Sequence, residues 1–276
     1  MYVGIDIGGT KTLIASLDQF GVITQKIRFE TPETYEQFLS ALAKAHDQLE
    51  YKEFSSGGIG APGSIDRHHG RAIAFGNRPW QNLEIVADIE RITGCPMVLE
   101  NDAKLAALSE AMLVKDTCSK VLYVTISTGI GLGLVVDQTI DTSFGDGGGR
   151  TMLVEHQGKL VAWESFASGH AIVERYGKMA QDIDDVATWK AIVRDLRVGF
   201  LELIALTQPD IVVIGGSVGT HFHKYGALLQ TDLKQFETPL LQIPQIVGAE
   251  RPEEAVLFGC YDLARATFNH SSGAAA

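Results

Sequence analysis

Cysteine is scarce in this chain of 276 residues: there are three, Cys95, Cys118 and Cys260, odd in number and far apart. That pattern excludes a disulfide framework and suits a reducing cytoplasm, with each thiol a small core residue. Basic residues are also few, 23 Lys and Arg against 34 Asp and Glu, for a net charge of −11. A nucleic-acid surface is therefore not expected, and an anionic ligand needs a local positive or dipolar site. No apolar run reaches the roughly 18–20 residues of a membrane span. Asp6 interrupts the first apolar stretch, so neither a membrane anchor nor a signal peptide is expected. What remains is ordinary globular composition, 45% hydrophobic and 21% charged, enough for one large domain or two modest ones.

The most informative stretch is Gly4-Ile5-Asp6-Ile7-Gly8-Gly9-Thr10-Lys11-Thr12. Apolar residues lead into it and out of it, so it reads as a strand, a tight glycine turn and a returning strand. On this stretch alone two readings stay open. One is a plain Gly-Gly hairpin. The other is a cradle in which backbone N–H groups, the hydroxyls of Thr10 and Thr12, and Lys11 meet an anionic oxygen such as a phosphate. Asp6 is a carboxylate ending an apolar strand beside that anion site, and a metal ion between the two would reconcile them.

Further along, Val22 to Phe29 reads as a third strand and Pro32 to about Leu49 as a helix. Gly57 to Gly63 is a small-residue strand running into a loop, and Ile73 to Asn77 is a short extended segment. Trp80 to Thr93 includes an amphipathic helix with Gly94 as its C-cap. A strand over Pro96–Glu100 leads at once into a helix from Asn101 to about Leu113. The pattern then repeats: strand Lys120–Ser127, turn Thr128-Gly129, return strand Gly131–Asp137. Asp141 to Arg150 is rich in Gly and Asp and has no periodicity. Trp163–Tyr176 and Val186–Thr207 read as helices. A buried strand over Asp210–Ile214 ends in Gly215-Gly216-Ser217-Val218-Gly219, and a helix follows to about Phe236. Glu253–Phe268 is the last helix.

Two halves, each opening with a hairpin and continuing with helix-separated strands, imply a duplicated α/β architecture with its ligand site in the cleft between lobes. The expected division is a small lobe, 1–115, joined by the C-terminal helix 253–268, and a large lobe, 116–252. Residues 269–276 are of low complexity and are expected to form a disordered tail.

Three further segments carry candidate chemistry. Asn101 and Asp102 lie where a strand ends and a helix begins. They read either as an N-cap pair or as a general base, Asp102, with an orienting neighbour, since ligands of α/β sheets collect at the carboxyl ends of strands. Thr125 to Gly133 offers a second hydroxyl- and glycine-bearing hairpin. Gly215 to Gly219 is a plausible nucleotide turn at a helix N-terminus, and it lacks the G-x-G-x-x-G spacing of a dinucleotide fold. His221 and His223 could flank a nucleotide base but read better as surface or capping residues. Trp163, Phe166 and Ile172 have core spacing.

Taken together, the segments resemble the ROK family of sugar kinases and repressors, of the actin/hexokinase/Hsp70 superfamily. They are Asp6 to Lys11, Gly60-Ala61-Pro62-Gly63, Gly76-Asn77, Asn101-Asp102-Ala103, Thr128 to Gly133, Trp163 to Gly169 and Ile214-Gly215-Gly216, spread over about residues 2–265. The resemblance implies a two-lobed actin-like ATPase fold of the ribonuclease H-like class. It implies ATP- and Mg²⁺-dependent phosphorylation of a hexose hydroxyl. Asp102 would be the catalytic base and Asp6 would lie near Mg²⁺. Gly8, Gly9, Thr10 and Lys11, and Thr128 and Gly129, would be phosphate loops, with Gly215, Gly216 and Ser217 on adenosine. Asn77, Asn101 and Glu164 would contact the sugar, and Pro62 and Gly63 would shape its pocket. A cytoplasmic homodimer is the family expectation.

The chain departs from the family pattern in two places. Most members carry a Glu-x-Gly-His segment and then a cysteine-rich zinc motif. Asp146 to Met152 occupies the first place, so the usual Glu and His are missing or displaced to Glu155 and His156. His156 to Leu160 bypasses the second, so no structural zinc is expected. The repressor branch is disfavoured because no helix-turn-helix is seen ahead of Met1. Glucose is the expected acceptor on family frequency. N-acylhexosamine or fructose as acceptor, polyphosphate as donor, and a non-catalytic sugar or nucleotide sensor are the alternatives.

Overall fold

Continuous apolar runs and their hairpin turns build two five-stranded mixed sheets in a computed structural model that describes residues 1–76, 78–251 and 253–269. The candidate Asn77 and the tail from residue 270 lie outside the described residues. The chain divides into two units, Met1–Ser109 with the chain from Glu254, and Glu110–Glu253. No helix among the described residues is long and apolar enough to cross a membrane.

In the first unit β1 (Tyr2–Ile7), β2 (Lys11–Leu17) and β3 (Ile23–Glu30) form an antiparallel meander, and β4 (Ser56–Ala61) runs parallel to β1. The chain then makes a three-stranded sheet, β5 (Ser64–Asp66), β6 (Arg71–Ala74) and β7 (Gln81–Leu83). β8 (Met97–Asn101) completes the main sheet in the order β3-β2-β1-β4-β8. Residues of the inner strand β4 are buried throughout, whereas β3 at the edge alternates half-buried and exposed positions, as covered and half-solvated strands should.

Helix α1 (Tyr35–Asp47) starts where the Thr34 hydroxyl accepts the Gln37 N–H, and it buries Phe38, Leu42 and Ala45. Helix α2 (Ile85–Thr93) stops at Gly94, left-handed at φ 70°, as its sequence predicts. Helix α3 (Asp102–Leu113) follows β8 without a loop.

Small residues set how closely the C-terminal helix, Ala255–Asn269, lies on this sheet. A side chain on Gly58 would run into the Cys260 backbone, and one on Gly60 into Val256. A Cβ on Gly259 would sit 2.0 Å from the carbonyl oxygen of Leu105 in α3. Asn269, expected in the tail, instead ends this helix, and its amide donates to the Tyr2 hydroxyl at 3.0 Å.

The second unit repeats the plan. β9 (Lys120–Ile126), β10 (Ile130–Val136) and β11 (Thr139–Ile140) form the meander. A hairpin of β12 (Leu153–His156) and β13 (Lys159–Ala162) follows, then β14 (Ile211–Gly215) and β15 (Gln245–Gly248). The order β11-β10-β9-β14-β15 is the first sheet's order again. The Val186–Thr207 helix is capped by Asp185 and buries Trp189, Ile192, Leu196, Phe200 and Leu203.

Several expectations fail locally. Trp163–Tyr176 is not one helix: a turn over Glu164–Ala167 breaks at Ser168, whose hydroxyl caps a second helix, Gly169–Tyr176. The break brings Gly169 against Ser127, whose carbonyl accepts its N–H at 2.7 Å. The helix expected after Gly219 is likewise divided, into Gly216–Gly219, a turn at Phe222–Lys224 and Gly226–Lys234, where the Phe222 ring packs on Gly226. The small sheet β5–β7, the β12–β13 hairpin and β15 are additional elements.

Gly259→Ala tests the close crossing. Alanine gains about 1 kcal/mol of helix propensity over glycine, whereas overpacking costs about 1–3 kcal/mol and more against backbone. The variant should be destabilised by roughly 2 kcal/mol in urea unfolding, and a gain in stability would show that the crossing is not tight.

Candidate active site

The first glycine turn is held by its carbonyls. The Gly8 N–H donates to the Lys11 carbonyl at 2.9 Å, and a Cβ on Gly8 would lie 2.7 Å from that same oxygen, so glycine is required. The Gly8 carbonyl accepts the Thr31 hydroxyl at 2.8 Å and the Thr10 carbonyl accepts the Thr31 N–H at 3.0 Å. The Gly9 carbonyl accepts Arg78 Nε at 2.8 Å, and Arg78 Nη2 donates to the Thr31 carbonyl at 2.7 Å. Four successive carbonyls are thus satisfied from within the protein. The N–H groups of Gly9 and Thr10 donate to no acceptor among the described residues. A turn with its carbonyls tied back and its N–H groups unused is an anion cradle. Lys11 and Thr10 are exposed on it, but Thr12 is not part of it: its hydroxyl is buried against that of Thr31 at 3.0 Å.

Arg78 and Thr31 were not legible as partners of this turn. Arg78 is placed by an aromatic cluster in which Trp80 packs on Tyr35, Phe38 and Phe75 and donates its indole N–H to the Glu33 carbonyl.

Asp6 is the last residue but one of β1 and Asp102 begins α3. Asp6 pairs with Gly60 in β4 and Gly60 pairs with Glu100 in β8, so the two carboxylates rise from strands flanking a glycine-bearing one. Burial first, and then the charge of Asp102, push Asp6 from 3.8 up to about 7, with Lys11 working against both. Asn101 is buried, and its Oδ1 accepts the N–H groups of Ala103 and Lys104 while its Nδ2 donates to the Gly63 carbonyl at 3.3 Å. It therefore caps α3 and ties Asp102 to the Pro62–Gly63 loop. Gly63 is left-handed at φ 93°, and a Cβ there would meet the Ala74 carbonyl at 2.2 Å. The neighbouring Glu100 is buried and accepts Arg67 Nε at 2.7 Å and its other guanidinium arm as well.

In the second unit the Ser127–Ile130 turn answers the first. The Ser127 N–H donates to the Gly129 carbonyl at 2.8 Å, and Glu164 Oε2 accepts the Ile130 N–H at 2.8 Å. At the end of β14, Gly215 and Gly216 let the chain close on Tyr123 and Ile126, where a Cβ would fall within 2.0 and 2.5 Å of oxygen atoms. A cavity of about 230 Å³ opens beside them, lined by Ser127, Thr128, Gly169, His170, Gln181, Ser217 and His221 among others. Ligand pockets usually run about 300–1,000 Å³, so this one suits part of a nucleotide rather than a whole one. His221, read from sequence as a surface or capping residue, lines it. Burial, then Lys224 and His223, hold its imidazole below the usual histidine value, hence neutral at pH 7.

Glu155 and His156 are both engaged locally. The Glu155 carboxylate accepts the Gly158 N–H of its own hairpin turn, and His156 stacks on Phe166 at 3.8 Å. The glycines of Asp146–Met152 are explained by packing: a Cβ on Gly148 would sit 2.2 Å from the Ile130 carbonyl. No group of three or more His, Cys, Asp or Glu able to hold a metal occurs among the described residues.

The family profile described as ROK family matches residues 2–267. A glucokinase of Streptomyces coelicolor is 25% identical over 95% of this chain and 97% of its own length. An N-acetylmannosamine kinase of Escherichia coli is 30% identical over 95% of this chain and 98% of its own. The crystal structure of a ROK hexokinase from Thermus thermophilus superposes with a TM-score of 0.80 at 26% identity, covering 99% of both chains. The fold is the mixed α/β, actin-like architecture with a duplicated sheet that the sequence pointed to.

The raised Asp6 value has a thermodynamic consequence. The native state holds a proton on Asp6 that the unfolded chain releases near 3.8, so this group's contribution is most favourable below pH 4 and is lost as pH rises towards 7. The loss amounts to at most about 4 kcal/mol. Without metal or nucleotide, Asp6→Asn should match the wild type near pH 4 and exceed it in urea unfolding at pH 8. A difference that does not change with pH would show that Asp6 ionises normally.

Proposed function

The chain belongs to the ROK family and is a sugar kinase, and we propose that it transfers the γ-phosphoryl group of ATP to a hexose hydroxyl, with glucose the first acceptor to try. The observation that carries the reading is the coupled pair Asp6 and Asp102 beside a turn whose carbonyls are all tied back. A module that only binds a sugar or a nucleotide needs neither carboxylate.

In this reading Asp102 accepts the proton of the acceptor hydroxyl as its oxygen attacks phosphorus. Asn101 fixes Asp102 through the helix cap, and Pro62 and Gly63 bound the acceptor. Asn77, expected on the sugar as well, stays part of the proposal on resemblance alone. Gly8 to Lys11 and Thr128-Gly129 take the phosphates through N–H groups and Lys11. Gly215 to Ser217 and the adjoining cavity take the nucleoside. That cavity favours a nucleotide over polyphosphate, which has no base to fill it.

Asp6 fits Mg²⁺. It is a desolvated carboxylate short of compensating charge, and Mg²⁺ is usually held by one or two carboxylates plus substrate phosphates rather than by an all-protein cage. Mg²⁺ bound there would neutralise charge on the transferring phosphates. The cytoplasmic homodimer of the family belongs to the proposal; the free thiols Cys95, Cys118 and Cys260 suit that compartment.

A coupled assay with Mg·ATP or polyphosphate across glucose, mannose, fructose and N-acylhexosamines tests donor and acceptor together. Asp102→Asn should lower kcat by roughly 10²–10⁴ while leaving nucleotide binding intact, as for loss of a general base. Turnover within about tenfold of wild type would remove Asp102 from that role.

A further inference from the structure

We infer that Arg67 is a positioning residue for the proposed base, acting through Glu100 on the strand-to-helix junction that carries Asp102. The inference rests on reading Asp102 as that base.

The junction has no slack. β8 ends at Asn101 and α3 begins at Asp102, so no loop residue separates strand from helix. β8 is also an edge strand. Its last amide is met by a side chain: Glu100 Oε1 accepts the Asn101 N–H at 2.7 Å. The next two side chains repeat the device. Asn101 Oδ1 accepts the Ala103 and Lys104 N–H groups at 3.0 and 3.3 Å, and Asp102 Oδ1 accepts the Ala103 N–H at 2.8 Å. The Asp102 carboxylate is thus aimed by the Ala103 amide, which Asn101 shares. The backbone of Asn101 is held in its turn by Glu100.

Glu100 can hold that amide only if its own direction is fixed. Its side chain is 5% exposed, and a carboxylate so buried needs a charge partner. Arg67 supplies it as a fork: Nε donates to Oε2 at 2.7 Å and Nη2 donates to Oε1. Two parallel bonds fix the plane of the carboxylate as well as its place. Arg67 sits on a turn that is itself closed. The Asp66 carboxylate accepts the His69 N–H at 3.1 Å and bonds its ring nitrogen at 2.7 Å, across the residue that carries the guanidinium. At Gly70, left-handed at φ 64°, a Cβ would lie 2.9 Å from Val86 of α2. One ion pair therefore carries this rigid turn's position to the junction. The pair is unequal. Arg67 is 27% exposed and can turn to water if the charge of Glu100 is removed, whereas Glu100 cannot if Arg67 is removed.

That inequality orders the variants. Turnover is measured with Mg·ATP and the fastest acceptor of the sugar panel, glucose first. Arg67→Ala strands a buried charge and Glu100→Ala strands the Asn101 amide, so kcat should fall about tenfold or more in each. Arg67→Lys keeps the charge without the fork and should lose severalfold. Glu100→Gln keeps an oxygen for the Asn101 N–H and should lose less than Arg67→Ala, and Arg67→Ala/Glu100→Gln should be no slower than Glu100→Gln alone. The KM for the acceptor and the calorimetric affinity for Mg·AMPPNP should hold within about threefold throughout. The deciding arm places Arg67→Ala on Asp102→Asn. Once the base is gone, its positioning has nothing left to cost, and residual turnover should change by less than about twofold. A loss on that background as large as on the wild type would overturn the inference, as would a raised acceptor KM with kcat unchanged. Unfolding midpoints identify variants that do not fold, and Arg67→Lys then carries the same comparison. If the wild type phosphorylates no sugar, or Asp102→Asn stays within about tenfold of it, the kinase or base reading has failed. The brace is then judged by hydrogen exchange at Asn101, faster in Arg67→Ala and Glu100→Ala and unchanged in Glu100→Gln; equal rates in all would reject it.

Discussion

A carboxylate held where it prefers its proton is the constraint on which the first unit turns. Asp6 cannot move: it is locked into β1 between β2 and β4, and its value of about 7 records what burial and Asp102 do to it. Left to itself this arrangement destabilises the ionised native state. On the proposed reading a cation and a polyanion arrive there together, and the cation then faces charge on both sides. The tied-back carbonyls of Gly8 to Lys11 are the complementary provision, since a carbonyl turned towards phosphate would cancel the attraction of the N–H groups beside it.

The two glycine turns are fixed by opposite chemistry. Arg78 grips the first by its carbonyls, and Glu164 grips the second by an amide. Both clamps come from far along the chain. A cation clamp beside an anion site needs no compensation. An anion clamp does, and Arg150 is in contact with Glu164. The duplication seen in strand order therefore does not extend to the way the turns are held.

The main strands, their hairpins, the position of Asp102 and the two turns were legible because each is a local pattern: apolar runs, Gly pairs, an Asn-Asp at a strand-to-helix junction. The breaks at Ser168 and after Gly219 were not, because both regions keep helix-compatible sequences and are interrupted by packing, of Gly169 on Ser127 and of Phe222 on Gly226. Arg78 and Thr31 were invisible for a different reason. Their partners are backbone carbonyls, which carry no residue identity for a sequence pattern to register. What the Asp146–Met152 departure from the family motif does in packing was not legible either: Gly148 and Gly149 press against Ile130.

On the proposed reading, part of the acceptor pocket and the catalytic base lie together in the first unit. There Asn101 divides its amide between the α3 cap and Gly63, so a change at Gly63 acts on Asp102 as well as on the pocket wall. Gly63 in turn is pressed on Ala74 in β6, and Arg67, from the β5–β6 connection, binds Glu100 at the end of β8. The small sheet β5–β7 is therefore coupled to the end of β8 through two independent contacts, one steric and one ionic. On the proposed reading, acceptor shape and base position rest on the same few residues, so substitutions made to change the sugar would change the chemical step too, unless they lie beyond Gly63 and Arg67 on the small sheet itself.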